Sequence, residues 1–326
     1  MHRPPTVTRL GDGPIISPEL HPEAGHNING PSLIRAPDWL PNKMGAYYLY
    51  FADHKGDYIR LAYADSLAGP WTLHPGGTLQ LADSYFPTAP PEAEPDTIEQ
   101  VLSEYRKTLG DYDPPNGMLD DLTAPHIASP DIHVNHDQKR IEMYFHGLES
   151  VGRQPSRWAS SGDGLQFVAE PSLFDASYLR AFRFQNTWYA LAMPGTMLRR
   201  CDGPLDFETG PSIFPSTARH SAVRVVGSSI EVYWTRVGDA PERVLLSTID
   251  GRLPWTQWSA SEPVEVIRPR HDWEGAAHPV EPSQRSVAPG MVNQLRDPAI
   301  FVDTDSQSYL LYAVGGESGL AIARLD

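Results

Sequence analysis

Histidines, carboxylates and arginines recur at regular places in this chain. One set stands at the start of apolar, strand-like segments: His26 and Asn27, His126 and Asp131, Arg180, Arg219 and His220, and Arg296 and Asp297. A second set follows the next strand-like segment each time: Asp53-His54-Lys55, His146-Gly147, Met193-Pro194-Gly195, Thr235-Arg236 and Gly315-Gly316-Glu317-Ser318. Carboxylates beside imidazoles suit proton transfer, since an imidazole with a pKa of about 6.5 gives and takes a proton near neutral pH. Arginine's planar fork suits hydroxyls or a carboxylate, such as that of an anionic sugar. Of 12 histidines, five fall at these places (His26, His54, His126, His146 and His220). His26, His126 and His220 are therefore candidate ligands for a divalent metal ion, although no local spacing such as H-x-x-x-H accompanies them.

The elements that must position these residues form a repeat. Ala62-Tyr63-Ala64-Asp65-Ser66-Leu67-Ala68-Gly69-Pro70-Trp71 has counterparts in Trp158–Phe167, Leu198–Phe207 and Leu246–Trp255. Each copy reads as a short strand, a polar turn with Gly, and an aromatic residue opening another strand. Each follows an aromatic-rich strand: Tyr47–Phe51, Ile141–Phe145, Trp188–Ala192 and Ile230–Trp234. A period of about 40–50 residues built from strands alone predicts an all-β, five-bladed β-propeller. Inner strands are expected at Asn29–Ile34, Ser129–Val134, Tyr178–Phe184, His220–Val226 and Arg296–Phe301. The last blade, Arg296–Leu325, is one strand short, and a spare strand lies at Thr6–Leu10. The N-terminal strand is expected to complete that blade and remove two exposed edges.

Two segments interrupt the repeat, at about 83–125 and 269–292. The first is acidic and proline-rich and predicts one helix over Thr97–Leu109, with Asp96 as N-cap and Gly110 as stop. The second carries His271, Trp273, Glu274 and His278. Both are expected over the channel mouth of a single domain, where the two sets of polar residues converge, with Trp273 offering a sugar platform. The net charge of -15 argues against a nucleic-acid partner, which needs a basic face. The single cysteine, Cys201, excludes an internal disulfide. The first residues lack the apolar run of a secretory signal, and no stretch approaches the roughly 20 apolar residues of a membrane span. A cytoplasmic protein is the expectation.

The strand phrases Tyr47–Trp71 and Arg-Asp-Pro-Ala-Ile-Phe at Arg296–Phe301 resemble the five-bladed glycoside hydrolases of family 43 and relatives such as family 117. That resemblance implies inverting hydrolysis of a small oligosaccharide or glycoside, with two groups about 6.5–9.5 Å apart to admit water. In family 43 the base is an Asp at the start of blade one, an Asp in blade two tunes it, and a Glu in blade three is the acid. Here blade one has Asn29-Gly30, blade two has Asp131 only approximately in place, and blade three has Arg180 and no Glu. Asp131 or Asp297 is then the expected base, and Glu317 or a mouth histidine such as His220 the acid. Expected substrate contacts are His26, Asn27, Asp53, His54, His146, Arg180, Arg236, Trp273 and Arg296. No cofactor is required by this reading. Alternatives are a non-catalytic carbohydrate-binding propeller, a metal-dependent lyase or transferase, and a phosphorylase using the His and Arg cluster.

Overall fold

The computed structural model describes residues 4–288 and 290–326. Its strands form five antiparallel sheets arranged as a ring. Blade one comprises Ile28–Arg35, Tyr47–Asp53, Tyr58–Ala64 and Thr72–Leu73, with Leu79–Gln80 as a further short strand on the third. Blade two comprises Ile127–Asn135, Arg140–Gly147, Ser156–Ser161 and Val168–Ala169. Arg180–Phe184, Thr187–Ala192, Thr196–Arg200 and Phe207–Ser212 make blade three. Ala218–Val226, Ser229–Arg236, Val244–Asp250 and Val264–Ile267 make blade four. Blade five is Arg296–Val302, Ser308–Val314 and Gly319–Leu325, completed by the N-terminal strand Val7–Arg9, in which Val7 pairs with Leu325 and Arg9 with Ala323.

Alternation along the strands gives each blade two apolar faces, one for each neighbour. In blade one, Tyr48 and Tyr50 pack on Ile141, Phe145 and Phe167 of blade two. Tyr47, Leu49 and Phe51 point the other way, onto Phe301, Leu311 and Ile322 of blade five. The same arrangement recurs between blades two and three (Tyr144, Trp158, Leu179, Leu198), three and four (Phe182, Leu191, Val232, Trp234), and four and five (Tyr233, Leu246, Leu310, Tyr312). Each wedge between neighbouring blades therefore has its own core, and the ring is held by side-to-side packing.

Ring closure has a polar lock as well. Arg9 on the closing strand meets buried Glu274 at 2.7 Å, and the Tyr312 hydroxyl donates to the same carboxylate at 3.1 Å. Glu274 thus ties the second insertion to blade five and is not part of the mouth.

Two details differ from the sequence expectation. The insertion helix runs Pro95–Leu109 with Glu94 as N-cap, because Pro95 fits the first helical position; Asp96 lies inside the first turn, where its charge favours the helix N-terminus. A second short helix, Met118–Thr123, follows. In blade four, Trp255 opens a 3-10 turn rather than a strand, and the outer strand waits until Val264. The Trp255 ring instead covers Gly210 of blade three, where any Cβ would meet it at 2.1 Å. Among the described residues no helix is long and apolar enough to cross a membrane.

Candidate active site

The mouth is built from a bulge repeated in four inner strands. Asn29 pairs with Ala52 and Ser32 with Tyr50; Ala128 pairs with His146 and Asp131 with Tyr144. Ala218 and Ser221 pair with Arg236 and Trp234, and Arg296 and Ala299 with Ala313 and Leu311. In each case three steps on the inner strand match two on its partner, so one extra residue is inserted and the chain is re-aimed. Gly30, Ser129, Arg219 and Asp297 occupy the equivalent position. Three of them adopt left-handed φ (58°, 51° and 46°) and precede a proline, which has no N–H to offer a ladder. For Ser129 and Asp297 this conformation costs about 1–2 kcal/mol, so the surrounding packing must hold it. Gly30 has no such freedom to accept a side chain: a Cβ there would stand 2.8 Å from the Ser129 Cα. The blade-one position is closed to a side chain, and the carboxylate at the equivalent position belongs to Asp297 of blade five.

Above the bulges lies a cavity of about 230 Å³. His54, His126, His146 and His220 line it, with Tyr178 and Glu317. The Tyr178 ring is sandwiched between imidazoles, 4.2 Å from His146 and 4.7 Å from His220, and His126 meets His146 edge-on at 6.1 Å. Nδ1 of His220 lies against Oδ1 of Asp297, whose carboxylate is fully buried. Burial pushes the Asp297 carboxyl up, but His220, Arg296 and Arg180 outweigh it and hold it below the usual range. His54 Nδ1 stands 3.9 Å from Oε1 of Glu317. Burial lowers the basicity of His54 and takes His146 well below an ordinary imidazole. It pushes His126 down to about 3, helped by the charge of Lys55.

That depression makes folding pH-dependent. The His126 ring is neutral in the folded chain at pH values where the unfolded chain already binds a proton. Its contribution is fully present above about 6.5 and is lost as pH falls towards 3. Between neutrality and pH 5 this one ring is expected to cost about 2 kcal/mol of stability, with His54 and His146 adding in the same direction. Urea titrations of the wild type and His126→Gln from pH 7.5 to 5 check this: the variant should show the shallower decline, and parallel curves would contradict it.

At the cavity wall and directly behind it two arginines and their partners are buried together. Arg219 Nε stands 3.1 Å from Oε1 of Glu242, and Arg296 Nε stands 3.5 Å from Oε2. Arg296 also reaches Glu317 at 3.5 Å. Both guanidiniums donate to the Ser286 carbonyl, at 3.2 Å from Arg219 and 3.1 Å from Arg296. The second insertion is thereby drawn over the mouth. The first insertion meets it there: Ser286 Oγ donates to Asp121 at 3.0 Å, and the Tyr112 hydroxyl to the Val287 carbonyl at 3.0 Å. Lys55 Nζ donates to the Asp121 carbonyl at 2.7 Å.

The expected residues divide accordingly. His54, His126, His146, His220 and Glu317 converge on the cavity, with Asp297 and Arg296 directly behind. Asp131 does not. It stands two residues beyond the bulge position, and its side chain lies deeper along the channel, where it accepts from His133 at 2.8 Å and from the Ala181 N–H at 2.7 Å. Arg180 stands 3.7 Å from it and donates to the Pro130 carbonyl. Both line a separate cavity of about 380 Å³ formed further along the inner strands. Trp273 is also elsewhere: it stacks on His271 with rings 5.4 Å apart and packs against the core between blades four and five. Arg236 is taken by Asp239 at 3.5 Å and covers the Trp234 ring. His26 is exposed at the rim, where its N–H bonds to Asp53, itself 3.8 Å from Arg60. His26, His126 and His220 therefore do not meet, and among the described residues no group of three or more His, Cys, Asp or Glu is arranged to hold a metal ion. Asp121, Tyr178, Glu242 and Ser286 were not singled out as site residues from sequence.

No family model matches the chain. Uncharacterized protein R118 of Acanthamoeba polyphaga mimivirus is 34% identical over 325 residues, covering 92% of this chain and 83% of its own. Among solved structures, the alpha-L-arabinofuranosidase from Lactobacillus brevis superposes with a TM-score of 0.59 at 11% identity, over 92% of this chain and 90% of its own. A thermostable family-43 glycoside hydrolase gives 0.56 at 10% identity, over 93% and 89%. The GH43_1 enzyme from Xanthomonas citri complexed with xylotriose gives 0.55 at 12% identity, over 96% and 89%. The chain belongs to one family with the mimivirus protein R118, and its fold is the five-bladed propeller of the family-43 glycoside hydrolases.

Proposed function

We propose that the chain hydrolyses a neutral glycoside in the mouth cavity, with His220 and Glu317 on either side of the reacting bond. The observation that carries this reading is the placement of His220, backed by Asp297, on the same small cavity as Glu317. An ionised carboxylate at Nδ1 keeps the proton there and leaves Nε2 free to take one from water, the logic of a base oriented by a third group. Glu317, beside His54, is the group that passes a proton to the leaving oxygen. Water then supplies hydroxide to the sugar and the departing alcohol receives the proton, so the reaction balances without a cofactor. Asp297 acts through His220 and is a positioning residue.

A neutral sugar fits better than an anionic one. Lys55 is engaged by Asp121, Arg219 by Glu242 and the Ser286 carbonyl, and Arg285 by the Ser216 carbonyl at 2.7 Å. The lowered histidines add no charge at pH 7. The cavity suits a single sugar ring. A panel of neutral and uronate glycosides, followed by proton NMR of the released sugar, tests the reading. Turnover of a neutral glycoside that disappears in Glu317→Gln supports it. Binding without turnover, unchanged in Glu317→Gln, would make the protein a carbohydrate-binding propeller.

A further inference from the structure

A second cavity, of about 440 Å³, lies directly against the first. His54, Lys55 and Asp121 line both. The far walls are Pro90, Pro114, Ala124 and Val287, contributed by the two insertions and the residues that follow the helix Met118–Thr123. We infer that this cavity receives the leaving group of the substrate, and that the leaving group is an uncharged apolar ring rather than a second sugar. The inference rests on the glycosidase reading for the word "leaving", but the chemistry of the cavity stands on its own lining.

Continuity is the first argument. A molecule with one end in each cavity must lay its middle bond across the shared wall, against His54, Lys55 and Asp121. His54 is the imidazole beside Glu317, and Lys55 is an amine held in place by the Asp121 carbonyl. The proton donor of the proposed reaction is therefore at the junction, where a leaving oxygen would be.

The wall chemistry points the same way. A sugar is gripped by an aromatic face or by a dense set of hydrogen bonds. Among the described residues lining this cavity none is Trp, Tyr or Phe; Asn27, Asn116 and Thr123 add polar atoms, but the greater part of the wall area is apolar. Such a surface gains free energy from removing apolar area from water, roughly 25 cal/mol per Å², more than a hydroxyl-covered ring would supply. Charge narrows the choice further. Asp120 and Asp121 both line the cavity, so a negatively charged ring would be repelled. The second cavity is also the larger, so it takes the bulkier part of the molecule.

2-Naphthol, which is uncharged at pH 7 and fluorescent, is the probe. The full chain should bind it, Val287→Asp should weaken binding at least tenfold, and Val287→Leu should preserve it, which also shows that the position tolerates change. Kinetically, Val287→Asp should raise KM for 2-naphthyl glycosides with little change in kcat. Failure to bind 2-naphthol, equal binding by Val287→Asp, or equal kcat/KM for disaccharides and naphthyl glycosides overturns the assignment. The two readings fail separately. Naphthol binding that behaves as expected without hydrolysis of any glycoside would sink the hydrolase reading alone. Disaccharide hydrolysis without naphthol binding would sink the leaving-group cavity alone.

Discussion

His220→Asn is expected to lower kcat by about 10²–10⁴-fold while the chain stays folded, because it removes the group proposed to take the proton and keeps an amide able to donate to Asp297. Asp297→Asn should also lower kcat, by a different route. An amide facing Nδ1 no longer demands a proton there, so the ring loses its fixed tautomer and the charge beside it. The two effects are separable by pH. With Asp297 gone the pH–rate profile should move, whereas His220→Asn should flatten the limb that the imidazole sets. Asp131→Asn is the control: its side chain is spent on His133 and Ala181 in the lower channel, so stability should fall and kcat should not. Steady-state kinetics on a substrate found by the panel, with circular dichroism to check folding, decides this. Near-normal kcat in His220→Asn would remove the acid–base pair from the mechanism.

Glu242→Leu is expected to destabilise the folded chain by about 3–5 kcal/mol, which for a single domain is a large part of its total stability. Glu242 is fully buried and gives one oxygen to each of Arg219 and Arg296. Without it two buried guanidiniums face each other. Their mutual repulsion is already visible in Arg219, where burial and then the charge of Arg296 lower the pKa. Glu242→Gln keeps the acceptor oxygen and should cost less. Adding Arg219→Met to Glu242→Leu should restore part of the loss, since the uncompensated charge is then removed. Urea denaturation of the three variants measures this, and a loss below about 1 kcal/mol in Glu242→Leu would mean that the network is not holding the mouth together.

The blades could be read from sequence because each signal there is local. Alternation in Tyr47–Phe51 declares two buried faces, and the recurring turn before Trp71, Phe167 and Phe207 sets the period. The four mouth histidines were legible for the same reason: they sit at strand starts and turns, which the repeat places at one end of the ring. Asp131 was misplaced because a bulge shifts register by one residue without leaving a mark in the hydrophobic pattern. Only the pairing of Ala128 and Asp131 with His146 and Tyr144 reveals it. Glu242 was missed inside a polar run that reads as surface loop. A signal did exist: Gln154, Glu242 and Glu317 each stand two residues before the third strand of their blade, and all three end up at or just under the mouth. Trp273 had no such frame, because its insertion belongs to no repeat and its ring was free to find the apolar flank of blades four and five.

The closing strand has a consequence for how the protein is made. Val7–Arg9 is made before the rest of the ring, and its partner Gly319–Leu325 after it. Until Gly319–Leu325 has been made the early strand has nothing to pair with, and blade five is incomplete. Arg296, Asp297 and Glu317 are all on that blade. Asp297 and Glu317 therefore reach the mouth only when the ring shuts. Closure of the ring and assembly of the mouth become the same event.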